Sequence, residues 1–212
     1  MRTVGIIDVG VGNIFSVAQA FRAVDANPVL INNSKNISTI DVLVLPGVGS
    51  FEKMMETLNQ QGFSENIYEH IKSQKLFLGI CLGMQLLFEK SEEGSSGSVL
   101  GLNILKGSVT RIHSNKSNQS LKIPNIGWRA INTIKFSPED SEYRELCYQK
   151  KFYFMHSYQI NTNETFDEFY FSNLPGCMIP ALIVSNNIVC TQFHPEKSGI
   201  LGLTLLKKIL MS

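Results

Sequence analysis

The sequence predicts an α/β protein: an open, mostly parallel sheet flanked by helices, with antiparallel additions in its second half. Three observations predict it. Short apolar runs alternate with segments of helical spacing through the first ninety residues. The runs lack polar alternation, as strands buried on both faces do. One of them, Leu76-Phe77-Leu78, meets Gly79-Ile80-Cys81-Leu82-Gly83 with a helical pattern directly behind it, a strand–turn–helix junction.

In chain order, Val4–Val9 reads as a strand ended by Gly10 and Gly12. Residues 13–26 place Ile14, Val17, Ala18, Phe21 and Val24 on one helical face, with Asn13 as N-cap. Pro28–Asn33 and Val42–Leu45 are further strands, and 50–74 is helical with a break near Gln61-Gly62. The elbow follows, with a helix over 82–90. The second half reads as strands at 107–113, 128–136, 151–160, 166–173 and 180–193, with polar loops at 91–98 and 114–120. An amphipathic helix over 198–211 closes the chain, which reads as a single domain over residues 1–212.

Composition excludes several functions. With 43% hydrophobic and 17% charged residues and a formal net charge of +1, the chain has the balance of a soluble globular protein. It lacks the footprint of a nucleic-acid or membrane-surface binder. No apolar stretch approaches the roughly 20 residues of a membrane span. A first strand this close to Met1 leaves no room for a signal peptide. The cysteines Cys81, Cys147, Cys177 and Cys190 are scattered with no CxxC pair, so neither a disulfide framework nor a cysteine metal site is expected. The expected location is a reducing cytoplasm.

The chemistry gathers at Cys81. A thiol at the tip of an elbow faces a helix N-terminus, which favours the thiolate, and the N–H of Leu82 points to where an attacked carbonyl oxygen gains charge. The competing reading is a buried cysteine between packing glycines. A base is available in Gln192-Phe193-His194-Pro195-Glu196-Lys197-Ser198. In an extended segment His194 and Glu196 share one side, so Glu196 can orient the imidazole toward Cys81. A zinc-deaminase reading of H-x-E fails because no P-C-x-x-C follows. Pro46-Gly47-Val48-Gly49-Ser50 ends a buried strand in a Gly-rich loop, where Val48 or Gly49 can turn an N–H inward as an oxyanion donor. A phosphate loop is the alternative, but it lacks the lysine and the length of a P-loop.

Together these motifs resemble the triad glutamine amidotransferases. Val9-Gly10-Val11-Gly12-Asn13, Pro46–Phe51, Gly79–Gln85, Phe154-Met155-His156-Ser157-Tyr158 and Gln192–Ser198 resemble, in order, the family of glutaminase subunits of imidazole glycerol phosphate synthase. The resemblance implies a Cys81–His194–Glu196 triad that hydrolyses glutamine to glutamate and ammonia through a glutamyl thioester. It implies an oxyanion hole from Val48, Gly49 and Leu82, and glutamine contacts from Gly47, Gln85, Ser157 and Tyr158. It also implies a (β/α)₈ cyclase/synthase partner that takes the ammonia, with Asn13, Trp128 and Lys197 at or near that interface, and no metal or cofactor.

The chain departs from the family's P-H-x-G-W-N at Asn125 (His in the family) and Arg129 (Asn), and has Cys190 where glycine is common. Asn125 and Arg129 fall in the segment expected to face the partner. They support a second acceptor, a sugar amidated in surface-glycan biosynthesis. A catalytically dead regulatory module and a cysteine peptidase of similar fold are the remaining alternatives. The intact triad opposes the first, and Gln85 with the Gly-rich loop opposes the second.

Overall fold

The computed structural model describes residues 2–10, 12–37, 39–95, 97–113, 121–133 and 141–212. Strand β1 (Thr3–Ile7) leads to helix α1 (Ile14–Arg22), where Asn13 Oδ1 accepts from the Ser16 N–H at 3.2 Å as the expected cap. Strands β2 (Asn27–Ile31) and β3 (Val42–Gly47) follow. Ser50 caps helix α2 (Phe51–Gln60), and Gly62 at φ +70° turns the chain into helix α3 (Phe63–Lys72). Glycine takes that left-handed conformation without a Cβ penalty. His70 is buried, its Nε2 3.0 Å from the Leu76 carbonyl oxygen.

Strand β4 (Leu76–Cys81) runs into helix α4 (Leu82–Gln85), a single turn where the sequence reading expected a helix to residue 90. The carbonyls of Leu86, Leu87 and Phe88 accept instead from the N–H groups of Leu102, Ile104 and Asn103. Leu86-Leu87-Phe88 is buried all round, so no polar face was available to keep a helix at the surface. Short strands β5 (Lys90–Ser91) and β6 (Val99–Leu100), not foreseen, flank the Ser/Gly-rich loop.

The second half supplies β7 (Ser108–Arg111), β8 (Asn125–Thr133), helix α5 (Glu142–Cys147), β9 (Lys151–His156) and β10 (Tyr158–Asn161). Strands β11 (Glu168–Leu174), β12 (Cys177–Ser185) and β13 (Ile188–Thr191) precede helix α6 (Gly199–Ile209). Residues 114–120 and 134–136, read as a loop and as the end of a strand, lie outside the described residues, as does Val11.

The main sheet has the order β2-β1-β3-β4-β13-β12-β11-β8-β9. The strands from β2 to β13 are parallel and the rest antiparallel. Within β3, Val42 and Val44 enter the apolar layer under α1 and α6, whereas Leu43 and Leu45 enter the layer under α2 and α3. Both faces of the central strands are thus covered, which is why they read as continuous apolar runs. A second sheet, β10-β7-β5-β6, stands beside the first. The run 151–160, expected as one strand, breaks at Ser157, where the chain leaves the main sheet for the small one. The site lies at that crossing.

Candidate active site

Cys81 ends β4 at φ 55°, ψ −107°, a conformation that costs a non-glycine residue about 1–3 kcal/mol and persists only where the surroundings enforce it. They do so by close packing. A Cβ on Gly83 would stand 1.8 Å from the Leu45 carbonyl oxygen, so only glycine lets the elbow settle on β3. Parallel pairing places Gly47 opposite Cys81.

His194 arrives on the chain that leaves β13. Phe193 is fully buried against Phe152 (ring centroids 4.3 Å apart) and Phe154 (5.6 Å), contacts of about 0.5–1.5 kcal/mol each beyond their area. The His194 N–H donates to the Tyr153 carbonyl at 2.9 Å. Ser198 Oγ donates to the His194 carbonyl at 2.6 Å and accepts from the Tyr153 N–H at 3.0 Å, tying the turn to β9. Pro195–Lys197 is a 3₁₀ turn rather than the extended segment expected. Proline at its start and the Lys197 N–H on the His194 carbonyl set that turn. The turn, not a shared strand face, brings Glu196 Oε1 to His194 Nδ1 at 2.8 Å with both side chains 3% exposed.

Burial alone would lower the His194 pKa. The Cys81 thiol and the Glu196 carboxylate more than offset it, and the imidazole is raised to about 10. Nδ1 is committed to Glu196, and Nε2 is buried with no hydrogen-bond partner among the described residues, left for the sulfur and whatever reacts with it. Cys81, His194 and Glu196 are therefore brought together as expected.

A cavity of about 230 Å³ opens at Cys81. That is below the roughly 300–1,000 Å³ of drug-sized ligand sites and suits a small molecule of amino-acid size. Val48, Gly49, Leu82, Gln85, Ser157 and Tyr158 all line it. Gly47 does not; it lies beneath Leu82, whose Cβ would be 2.8 Å from a Cβ there. The Tyr158 carbonyl accepts from Gln85 Nε2 at 3.1 Å and faces His156 Nδ1 at 2.8 Å, so it braces the wall. A carbonyl only accepts, hence His156 carries its proton on Nδ1, and Nε2 accepts from Asn125 Nδ2 at 2.9 Å. Burial pushes the His156 imidazole down to about 4, keeping it neutral. Asn125 Oδ1 in turn accepts from Arg129 Nε at 2.9 Å.

That chain corrects the expectation for Asn125. It was read as partner-facing; it is 1% exposed and points inward at the cavity wall. Of the residues placed near a partner, Asn13 and Lys197 line a small second cavity of about 20 Å³ that His194 and Glu196 also line. Trp128 is 50% exposed, its ring edge on Tyr153. Phe15 and Ile200 are also exposed near this turn. Glu93 lines the main cavity, its pKa raised by burial and its carboxylate accepting from the Phe51 N–H at 3.0 Å. Sequence reasoning missed it because it sits in a Ser/Gly-rich loop with no motif around it. Among the described residues no group of three His, Cys, Asp or Glu side chains is placed to hold a metal. No helix there is long and apolar enough to cross a membrane.

The known proteins that this chain resembles agree with the geometry. The family described as glutamine amidotransferase class-I matches residues 5–210. An imidazole glycerol phosphate synthase subunit HisH from Caldanaerobacter subterraneus is 43% identical over 96% of this chain and 95% of its own. The corresponding subunit from Cyanidium caldarium is 39% identical over the whole of both. Among solved structures, PurLQS from Thermotoga maritima superposes with a TM-score of 0.72 at 14% identity, over 100% of this chain and 99% of that one. A crystal structure of a glutamine amidotransferase gives 0.68 at 12% identity, over 99% of both. At such low identity these two speak for the fold, and the fold agrees. With a family match over nearly its full length and close relatives of one kind, the chain belongs to the class-I glutamine amidotransferases, among the HisH subunits of imidazole glycerol phosphate synthase.

Proposed function

We propose that this chain is a glutaminase that hydrolyses glutamine at Cys81 and passes the ammonia to a (β/α)₈ cyclase in histidine biosynthesis, in the cytoplasm. The carrying observation is the buried His194–Glu196 pair at 2.8 Å, its free imidazole nitrogen left to the elbow cysteine.

The cavity orients the substrate. The α-ammonium of glutamine meets the Glu93 carboxylate and Gln85 Oε1, whose own amide nitrogen is committed to Tyr158 and Gln192. The side-chain amide then reaches Cys81. The sulfur lone pair forms the C–S bond, its proton already held on His194 Nε2 in the raised imidazolium. The carbonyl oxygen takes the negative charge beside the N–H of Leu82 and the Val48–Gly49 peptide. The imidazolium returns the proton to the departing nitrogen, releasing ammonia and leaving a thioester. His194 then takes a proton from water, which displaces the sulfur and frees glutamate.

Ammonia leaves on the side of the small cavity, toward Asn13 and Lys197. There Phe15, Trp128 and Ile200 expose apolar surface (70%, 50% and 83%) around the catalytic turn, the composition of an interface core. A sugar acceptor is not favoured: Asn125, one of its two supports, points into the protein, and the relatives reported above carry the name of imidazole glycerol phosphate synthase. The test is glutamate release by the protein alone, with the cyclase, and with the cyclase holding its ribonucleotide. Stimulation by the liganded cyclase, abolished by Cys81→Ala, is expected. No stimulation from protein whose Cys81 still reacts with a glutamine analogue would overturn the partner assignment.

A further inference from the structure

Gln192 is fully buried two residues before His194. Its Oε1 faces Gln85 Nε2 at 2.9 Å and its Nε2 faces Cys81 Sγ at 3.5 Å. The chemistry of the neighbours fixes which end is which. The Tyr158 carbonyl can only accept, so the Gln85 atom 3.1 Å from it is the nitrogen. That nitrogen also faces Gln192, whose facing atom must then be oxygen. The NH₂ of Gln192 is left against the sulfur.

We infer that Gln192 is a catalytic residue of the glutaminase: its side-chain N–H donates to the Cys81 sulfur, stabilises the thiolate, and ties the nucleophile to the substrate-orienting Gln85. This rests on Cys81 being the nucleophile. An N–H donor strengthens when its acceptor is charged, so it favours the thiolate over the thiol. The thiol's own proton has another outlet, the Met155 carbonyl 3.7 Å away. Stabilising a thiolate also makes each one less nucleophilic, but with a Brønsted slope of about 0.4–0.5 the gain in thiolate population wins below the thiol pKa. The other titratable groups lining this cavity are Glu93, His156 and Tyr158; His194, which lines the small second cavity, is the one that acts directly on the sulfur.

The test is alkylation of Cys81 by iodoacetamide as a function of pH, read by peptide mass spectrometry so that the half-exposed Cys177 is scored apart. Gln192→Met keeps the volume and removes the donor. The midpoint of the Cys81 profile is expected to rise by about one pH unit. The limiting rate at high pH is expected to rise about threefold, and the rate at neutral pH to fall about threefold. Repeating the pair on His194→Ala assigns the midpoint to the thiol rather than to the coupled pair. A purely structural role would not raise one limb while lowering the other, and an unchanged midpoint overturns the inference. Should Gln192→Met fail to fold, the side-chain amide resonances of Gln192 in the unaltered protein must move with the Cys81 midpoint; resonances that stay put overturn it equally. Loss of the underlying reading shows elsewhere, as Cys81→Ala protein that still hydrolyses glutamine.

Discussion

Asn125 Nδ2 stands 2.9 Å from His156 Nε2, and this buried bond joins strand β8 to the wall of the cavity at Cys81. Removing it with Asn125→Ala leaves a buried imidazole nitrogen unsatisfied, which costs about 1–3 kcal/mol of stability. Because His156 also supports the Tyr158 carbonyl that holds Gln85, KM for glutamine should rise severalfold with a smaller change in kcat. Arg129→Ala, one bond further out, should show the same pattern more weakly. Chemical denaturation and steady-state kinetics on both variants check this; a kcat loss at unchanged KM would contradict it.

His156 also sets an acid limit on stability. Its folded pKa of about 4 lies below its ordinary value of 6.5, so between these values the unfolded chain binds the extra proton. Its contribution is complete above pH 6.5 and is lost as pH falls through 4. The buried His70, also lowered, acts with the same sign. His194, raised to about 10, is protonated in both states in this window and drops out; its own contribution is lost as pH rises toward 10. Urea unfolding at several acidic pH values should therefore show a steeper decline for the natural protein than for His156→Gln.

Gly49 tests the oxyanion loop. It sits at φ +111°, and a Cβ there would meet nothing within 4 Å. Gly49→Ala thus strains only the backbone and leaves packing intact. The thermal midpoint should shift little, while glutamine hydrolysis in the presence of the cyclase should fall by about 10²–10³, the cost of losing one oxyanion donor. Alkylation of Cys81 should be unaffected, which separates loss of the donor from loss of the nucleophile.

The docking face makes a prediction of its own. Trp128→Ala should weaken association with the cyclase by about tenfold or more, as loss of a central aromatic anchor does. Ile200→Glu should do the same by placing a charge in an apolar contact. Neither side chain lines the cavity, so analogue labelling of Cys81 in the free subunit should be unchanged. Titration calorimetry against the cyclase is the measurement.

The parallel half of the fold was legible because its signals are local: apolar runs, the Asn13 cap, and an elbow flanked by glycines. The clustering of Cys81, His194 and Glu196 was legible for the same reason, since each member sits in a short motif. What failed was non-local. The helix expected to residue 90 stops at Gln85 because carbonyls there are claimed by residues 102–104, far along the chain. Glu93 reaches the cavity only because two sheets meet there. Asn125 and Gln192 looked like details of their motifs, and their partners appear only in three dimensions. The agreement of His194 with Glu196 was anticipated for a reason that the 3₁₀ turn replaces.

That turn has a consequence for how such an enzyme can change over evolutionary time. His194, Pro195, Glu196 and Lys197 occupy four consecutive positions of one hydrogen-bonded loop. Under the proposed docking, a substitution that adjusts the grip on the cyclase at Lys197 shifts the same few backbone bonds that aim the imidazole. The two properties therefore cannot drift separately. A lineage that adopts a new partner must find it through Phe15, Trp128 and Ile200 on neighbouring elements, while the turn itself stays as it is.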